Sequence, residues 1–360
     1  MKHDSRYVLP NKNPAITRTL LTWGLPILGW VILIVVWLFF AGRNTNAHDE
    51  SAEAPAAQSS LAADASAAAQ SGTTAPAENT ATPTPQPAIG TAPFPDTPYD
   101  FAGAVAHIGA PCESACGTGI LVDPARRKVL WAKAADRAVP IASMTKMMTM
   151  LLTEEAIQAG RISRETIIPV SVAAYRIGGS QVWLDPKEAF PLSELLKAVA
   201  IKSANDAAFL IGEYLGNGDV TAFVTQMNRR AKELGMTRTT FYEAHGLGDD
   251  YKRHNVASAY DMVLLGERLL AYPEVIRLAS TRVDTFRNGK TELKNHNNLV
   301  YNRVAGVDGL KTGYTKASGY CVTVSCLRNG RRLLACVTGF KTAKERDAFC
   351  KALLEWGYTK

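Results

Sequence analysis

The hydrophobic pattern of the chain begins with one long apolar run near the N-terminus. Residues 19–42 carry no charged side chain, and basic residues outnumber acidic ones in residues 1–18. About 20 apolar residues suffice to cross a bilayer as a helix, and basic flanks favour the cytoplasm. We expect a cytoplasmic segment at 1–18 and a transmembrane anchor at 19–42 in the inner membrane, with the rest of the chain on its periplasmic or extracytoplasmic side. The alternative is a cleaved signal peptide, whose apolar core is usually shorter.

The segment that follows, residues 43–98, is rich in Ala, Ser, Thr and Pro and poor in large apolar side chains. Such a composition buries too little apolar surface to offset the entropy lost on ordering. Its prolines favour extended conformations. The sequence therefore predicts a disordered linker between the membrane and residues 99–360, which are numerous enough to form one compact domain or two closely packed lobes.

Residues 99–360 combine strand-like and helix-like patterns. Strands are predicted at 119–122, 128–131, 320–327 and 332–338. The last two flank Asn329-Gly330, a strong hairpin signal. Apolar residues that recur every three or four positions predict helices at 143–159, 192–215, 220–234, 259–270 and 344–356. This order predicts an α+β fold in which helices flank an antiparallel sheet and a helical lobe is inserted between its strands.

Composition narrows the classes of function. The formal net charge is +7, which suits an anionic envelope polymer, but no nucleic-acid motif accompanies it, so nucleic acid is not an expected partner. The six histidines form no ligand-spaced pair with the six cysteines, and neither a metal nor another cofactor is expected. Cys112 and Cys116 are a candidate disulfide pair. Cys321, Cys326 and Cys336 lie in apolar, strand-like sequence, which fits buried free thiols at least as well as disulfides.

Three short motifs follow one another in a fixed order. They are Ser143-Met144-Thr145-Lys146, Ser203-Ala204-Asn205 and Lys311-Thr312-Gly313. Ser143 and Lys146 are three apart on a predicted helix and can touch. A serine becomes a good nucleophile when a neutral amine takes its proton, and burial beside a second cation such as Lys311 would keep Lys146 neutral. We predict Ser143 as nucleophile and Lys146 as base. Without the other two motifs, Ser143 would be interpreted as an ordinary helix N-cap and Lys146 as a solvated lysine.

The other two motifs supply polar groups for the same cleft. The second motif is predicted to lie at a junction between two helices. There Ser203 could pass a proton to the leaving amine and Asn205 could bind the peptide backbone of a substrate, although a capping turn is the simpler interpretation. Gly313 on a strand edge would let another backbone approach closely. The backbone N–H groups of Ser143 and Tyr314 could then form an oxyanion hole.

With these motifs the chain resembles the serine D-alanyl-D-alanine carboxypeptidases, the low-molecular-mass penicillin-binding proteins of the SxxK acyltransferase superfamily. The resemblance covers roughly residues 103–358 and extends to the segments 140–146, 196–207, 244–247 and 307–315. It implies a β-lactamase/transpeptidase-like fold and removal of the terminal D-Ala from peptidoglycan stem peptides through an acyl-enzyme on Ser143. It also implies acylation of Ser143 by β-lactam antibiotics.

The resemblance implies roles for further residues. Thr312 and Thr315 match positions that hold the terminal carboxylate of the substrate. Arg346 matches a position proposed for the same task, for which a guanidinium is well suited, but a surface ion pair is an equal alternative. His245 falls in a loop near the cleft, where it would orient the loop or assist deacylation, and we favour the structural role.

Three other functions are alternatives for a chain with these motifs. A class A β-lactamase needs a glutamate in a Glu-x-x-Leu-Asn loop, and the comparable region, 239–247, offers Glu243 without that sequence. A DD-endopeptidase would cut cross-links with the same machinery. A catalytically silent wall-binding or penicillin-sensing module would not need Ser143, Lys146 and Lys311 together.

Overall fold

The computed structural model describes residues 97–248 and 253–360, which belong to one compact unit. The segment 1–18, the predicted anchor 19–42 and nearly all of the linker 43–98 lie outside the described residues. Within the described part of the chain, no helix has the length and apolar character needed to cross a membrane.

A five-stranded antiparallel sheet forms the centre of the fold, in the order β2-β1-β11-β10-β9. The strands are β1 (Thr118–Asp123), β2 (Lys128–Lys133), β3 (Val139–Pro140), β4 (Ile167–Pro169), β5 (Ala189–Pro191), β6 (Val256–Ala257), β7 (Val283–Phe286), β8 (Thr291–Lys294), β9 (Val307–Thr315), β10 (Gly319–Arg328) and β11 (Arg331–Phe340). The six strands outside this sheet pair as β3 with β6, β4 with β5 and β7 with β8. These short ladders were not predicted, because runs of two to four residues carry no readable alternation.

The helices lie on both faces of the sheet. They are α1 (Lys146–Gln158), α2 (Val172–Tyr175), α3 (Leu192–Lys197), α4 (Asn205–Leu215), α5 (Val220–Glu233), α6 (Ala259–Leu269), α7 (Pro273–Ser280), α8 (Asn298–Tyr301) and α9 (Ala343–Tyr358). Helix α9 begins with a capping box, in which Thr342 and Glu345 each bond the backbone N–H of the other. The inserted helical lobe and the terminal helix predicted from the pattern are both present.

Alternation along β1 explains how the sheet buries both faces. Ile120 and Val122 join the apolar core shared with the helical lobe, whereas Leu121 joins a second core with Phe349 and Leu353 of α9. Because successive side chains of a strand point to opposite faces, one buried strand serves both cores. The neighbouring strands β10 and β11 are joined through Asn329 and Gly330, both with positive φ, as the Asn-Gly signal predicts.

Two predicted helices are interrupted where they approach the cleft. The helix predicted at 143–159 begins as a 3₁₀ turn, Ala142–Thr145, and becomes α-helical at Lys146. The helical stretch predicted at 192–215 is divided at the second motif, which confirms the predicted junction between two helices. It widens into a π-helical turn at Ala198–Lys202 and ends at Ser203, whose φ of 62° is left-handed. Such turns often mark functional sites in helices.

The six cysteines are free thiols, so the candidate bridge between Cys112 and Cys116 is absent. Cys112 is partly exposed at the start of a 3₁₀ turn, while Cys116 is buried and its Sγ atom donates to the carbonyl of Thr118. Buried free thiols are therefore the correct interpretation for Cys321, Cys326 and Cys336.

Candidate active site

Ser143 lies in the tight turn that precedes α1. Ala142, the residue before it, has a φ of 46°, and Met144, the residue after it, is wholly buried. Gly246 packs against this turn so closely that a Cβ added to it would lie 2.0 Å from the carbonyl oxygen of Ala142. The turn is thus clamped from two sides, and only Ser143 within it remains partly accessible.

Lys146 has no exposed surface, and its ammonium group has three partners. Nζ lies 3.0 Å from Oγ of Ser143 and 2.7 Å from Oδ1 of Asn205, and it also bonds the carbonyl oxygen of His245. Burial, and then the positive charge of Lys311, lower the pKa of Lys146 well below its usual value. The hydroxyl of Ser143 therefore lies beside an amine whose lowered pKa favours its neutral form.

The second motif follows the π-helical turn. Asn205 begins α4 and uses both ends of its amide, since Oδ1 accepts from Lys146 and Nδ2 donates to the carbonyl of Gly178 at 2.8 Å. One amide N–H of Asn205 remains for a substrate. Ser203 is buried within the fold, but its side chain borders the cleft.

The third motif occupies β9, at the edge of the sheet. Lys311 is 2 % exposed and donates to the carbonyl of Thr312 at 3.1 Å. Burial, and then Arg346, lower the pKa of Lys311 to about 7. A Cβ on Gly313 would lie 2.6 Å from the carbonyl oxygen of Ile141, so glycine is what lets this strand approach the Ser143 turn.

The end of β9 presents two further predicted residues. Tyr314 is half exposed, and its ring stacks on that of Tyr320 with 4.1 Å between centroids. The backbone N–H of Thr315 donates to Oγ of Ser318 at 2.8 Å, and the two hydroxyl oxygens lie 3.1 Å apart. The hydroxyl of Thr315 is held by this local turn.

Arg346 is buried rather than on the surface, which corrects the alternative of a surface ion pair. Its Nε and Nη2 atoms donate to one carboxylate oxygen of Asp347 at 2.8 and 2.6 Å, and Nη1 donates to the carbonyl of Cys321 at 3.4 Å. Its side chain also borders the cleft. The guanidinium is thus fixed in place beside the end of β9.

These residues enclose one cavity of about 960 Å³, a size typical of ligand sites. Of the predicted site residues, it is lined by Ser143, Ser203, Asn205, Thr312, Gly313, Tyr314, Thr315 and Arg346. Lys146 and Lys311 do not line the cavity, but their amines bond Ser143, Asn205 and Thr312, which do. A nucleophile, a buried amine and a cationic strand edge at one cavity are suited to acyl transfer.

The peptidase S11 family, described as D-alanyl-D-alanine carboxypeptidase, matches residues 105–342. The chain belongs to this family.

Individual members of the S11 family are similar over most of the described residues. D-alanyl-D-alanine carboxypeptidase DacF of Bacillus subtilis is 37 % identical over 246 residues, 68 % of this chain and 62 % of that protein. DacA of Escherichia coli K12 is 34 % identical over 66 % of this chain and 60 % of that protein. Penicillin-binding protein D2 of Listeria monocytogenes, in an ampicillin-bound crystal structure, is 30 % identical with a TM-score of 0.62, covering 68 % of this chain and 97 % of that one. The chain spans about six-tenths of the length of the two curated S11 relatives.

A buried polar network beside the S11 motifs was missed at the sequence level. The Glu243 carboxylate accepts from the backbone N–H groups of His245 and Gly246 at 2.7 and 2.8 Å. Asn255 donates to Glu243 at 2.7 Å and to the hydroxyl of Thr145 at 2.8 Å. The segment 244–247 pointed to this loop, but no sequence signal connects it with Asn255.

The same network fixes the imidazole of His245. Nδ1 lies 2.7 Å from the carboxylate of Glu243 and 3.2 Å from the backbone nitrogen of Leu247. The shorter contact places the ring proton on Nδ1, so the Leu247 N–H cannot also donate there. Burial would raise the pKa of Glu243, but His245 and the backbone donors hold it at about 2. The network therefore orients the loop whose carbonyl binds Lys146.

Proposed function

We propose that the chain is a serine DD-carboxypeptidase that removes the terminal D-Ala from peptidoglycan stem pentapeptides. The observation that carries this proposal is the 3.0 Å contact between Nζ of Lys146 and Oγ of Ser143, made inside a site where the amine is buried. Membership of the S11 family supports the reaction, and the arrangement of the cleft supports the following steps.

Acylation begins with attack of Ser143 Oγ on the carbonyl carbon of the D-Ala-D-Ala bond. Neutral Lys146 takes the hydroxyl proton, and the backbone N–H groups of Ser143 and Tyr314 stabilise the oxyanion. The C–N bond then breaks, and the proton reaches the leaving amine through Ser203. Free D-Ala departs and an ester remains on Ser143.

Water completes the reaction by hydrolysing this ester, with Lys146 as the group that accepts the proton of the water. The terminal carboxylate of the substrate binds to Thr312, Thr315 and the Arg346 guanidinium at the end of β9. Lys311 adds positive charge on the same side. A β-lactam, whose strained amide replaces the peptide bond, acylates Ser143 by the same attack.

The test is release of free D-alanine from a stem pentapeptide by the full-length chain in detergent, compared with its Ser143→Ala variant. We expect release by the parent, none by the variant, and a penicillin adduct on the parent only. Penicillin labelling of the parent without D-alanine release from any stem peptide would refute the carboxypeptidase and leave the binding module.

We further propose that residues 19–42 anchor the chain in the inner membrane, with residues 1–18 in the cytoplasm. The linker 43–98 then holds the catalytic domain, 99–360, on the periplasmic or extracytoplasmic side. The uncharged run and its basic flank support this topology. Alkaline carbonate should leave the chain in the membrane pellet, and externally added protease should cut it in the linker. Release by carbonate would contradict the anchor.

A further inference from the structure

The guanidinium of Arg346 is paired with Asp347 through a single oxygen atom. Arginine and carboxylate groups frequently form two parallel bonds, one to each carboxylate oxygen. Here Nε and Nη2 of Arg346 both donate to Oδ1 of Asp347, at 2.8 and 2.6 Å. The other oxygen, Oδ2, accepts from Nδ2 of Asn298 at 2.9 Å. The second oxygen of Asp347 is therefore bonded to Asn298 and not to the guanidinium.

This pairing leaves part of the guanidinium available. Arginine has one N–H group on Nε and two on each Nη atom. Asp347 takes one from Nε and one from Nη2, and the carbonyl of Cys321 takes one from Nη1 at 3.4 Å. Each Nη atom thus keeps an N–H group, and the two Nη atoms form an edge that can bind a carboxylate with two bonds. Arg346 is buried but borders the cavity, so the cavity is where a ligand would meet it.

Neighbouring asparagines hold the backbone that carries Asn298. Nδ2 of Asn295 donates to two carbonyl oxygens of the segment 279–281, at 3.0 and 2.7 Å, and its Oδ1 accepts from the backbone N–H of Asn297 at 2.8 Å. Oδ1 of Asn297 in turn accepts from the backbone N–H of Leu299 at 3.1 Å and caps α8. The first residue of α8, Asn298, therefore has a well-defined position.

Asn298 and Arg346 lie at the same end of the cleft. Both line the cavity. Arg346 bonds the carbonyl of Cys321 on β10, and Cys321 pairs with Gly313 of the third motif in the neighbouring strand. The chain of contacts from Asn298 through Asp347 to Arg346 thus ends beside the strand where we place the terminal carboxylate of the substrate.

The bond from Asn298 limits what the carboxylate of Asp347 can do. The side chain of Asp347 is 16 % exposed, so without this bond it can turn about its side-chain torsions. Its second oxygen then becomes available to the guanidinium, and a pair through both oxygens competes with a ligand for the remaining N–H groups. Asn298 thus fixes which donors of Arg346 are left for a ligand.

We propose, on the basis of the function proposed above, that Asn298 is a positioning residue for the terminal carboxylate of the substrate. It acts through Asp347, which it holds so that both Nη atoms of Arg346 stay available to the D-Ala carboxylate. Asn298 thereby contributes to a preference for peptides that end in a free carboxylate. It takes no part in the bond-breaking steps at Ser143.

The experiment compares two substrates with the full-length chain in detergent. One is a stem pentapeptide with a free C-terminal carboxylate, and the other is the same peptide with a C-terminal carboxamide, which would release D-alaninamide. The enzymes are the parent, Asn298→Ala, the nearly isosteric Asn298→Asp and the control Asn302→Ala. Asn298 is exposed, so its replacement should change the free energy of unfolding little. Asn302 is an exposed asparagine that directly follows α8 and does not line the cavity.

We expect Asn298→Ala to lower kcat/KM about tenfold on the carboxylate peptide, mainly through KM, because a misplaced guanidinium binds the carboxylate less well. Asn298→Asp should lose at least as much, since it replaces the donor by a carboxylate that repels Asp347. On the carboxamide peptide both variants should stay within about twofold of the parent, as should Asn302→Ala on either peptide. An equal loss on both peptides, or no loss on either, would overturn the inference and leave the carboxypeptidase intact.

A double-mutant cycle with Arg346→Gln tests the path of the effect. If Asn298 acts through the guanidinium, we expect Asn298→Ala to change kcat/KM of Arg346→Gln less than about twofold on the carboxylate peptide. A further loss of about tenfold in the double variant would contradict the positioning role. The comparison of the two peptides stands by itself if Arg346→Gln does not fold.

Failure of the proposed function has a different signature, namely release of neither D-alanine nor D-alaninamide by the parent. Acylation of Ser143 then decides the inference, because penicillin carries a carboxylate that esterification neutralises. We expect Asn298→Ala to slow acylation by penicillin about tenfold and by its methyl ester less than about twofold. An equal effect on the two compounds would refute the role of Asn298, and a parent acylated by neither would refute both proposals.

Discussion

The Nζ atom of Lys146 lies 3.0 Å from the Oγ atom of Ser143, and the side chain that carries it has no exposed surface. Asn205 and the His245 carbonyl hold the amine in this position. Replacing Lys146 by Met removes the base, so we expect acylation by penicillin to slow about 1,000-fold. Lys146→Arg should be equally slow, because a guanidinium stays charged. Mass spectrometry of the acyl-enzyme over time measures both rates, and a fast Arg variant would exclude the base role.

Lys311 should make stability depend on pH. Burial and Arg346 lower its pKa to about 7, whereas in the unfolded chain it is about 10.4. Above pH 7 the unfolded state therefore binds more protons than the native state. For this reason Lys311 makes the free energy of unfolding rise with pH by up to about 1.4 kcal/mol per pH unit.

Urea unfolding from pH 6 to 8.5 checks this expectation. At pH 6 the buried ammonium is charged, so the free energy of unfolding of Lys311→Met should exceed that of the parent by the largest amount. As the pH rises, this difference should shrink. Below pH 8.5 most thiols of the unfolded chain remain protonated and contribute little. Parallel curves for the two proteins would contradict the lowered pKa.

Gly313 should be intolerant of a methyl group. A Cβ there would lie 2.6 Å from the carbonyl oxygen of Ile141 and 2.8 Å from Sγ of Cys321, so β9 must move away from the Ser143 turn. We expect Gly313→Ala to reduce kcat/KM about 100-fold or more and to cost about 1–3 kcal/mol of stability. Gly266→Ala is the control, because its new methyl meets only leucine side chains at 3.1 Å or more. Similar activity in the two variants would contradict the close approach.

Glu243→Gln separates a positioning residue from a deacylating base. Both carboxylate oxygens accept from buried donors, and an amide group would present N–H to at least one of them. We expect a loss of about 1–3 kcal/mol of stability and slower acylation, since the His245 carbonyl then holds Lys146 less well. The acylation and deacylation rates with penicillin are the measurement. Normal acylation with an acyl-enzyme that accumulates would instead favour the β-lactamase alternative.

The thiols should differ sharply in reactivity. Cys112 is partly exposed, whereas Cys116 is 2 % exposed and the other four are wholly buried. Burial also raises the pKa of Cys116 to about 11 and that of Cys321 to about 12. An aromatic disulfide reagent at pH 8 should modify one thiol quickly in the native protein and six after denaturation without reductant. Four thiols in the denatured protein would reveal a bridge.

Several features followed from local sequence because their causes are local. The Asn329-Gly330 turn needs two consecutive residues that tolerate positive φ, and β1 was predicted from a continuous apolar run at 119–122. The capping of α9 by Thr342 and Glu345 has an equally local cause, because it spans four residues, but it was not predicted. The α+β arrangement followed from the order of such elements.

Only part of the active-site chemistry could be predicted from local sequence. The sequence by itself determined which hydroxyl and amine residues are present, in which order, and that Ser143 and Lys146 stand one helical turn apart. Whether Lys146 is a solvated lysine or a buried base depends on partners 59 and 99 residues away, at Asn205 and His245. Tertiary packing also decided that Arg346 is buried against Asp347 and that Glu243 is fully bonded to its own loop. Local propensity acts over a few residues, whereas desolvation and buried hydrogen bonds arise only when distant segments close over the same site.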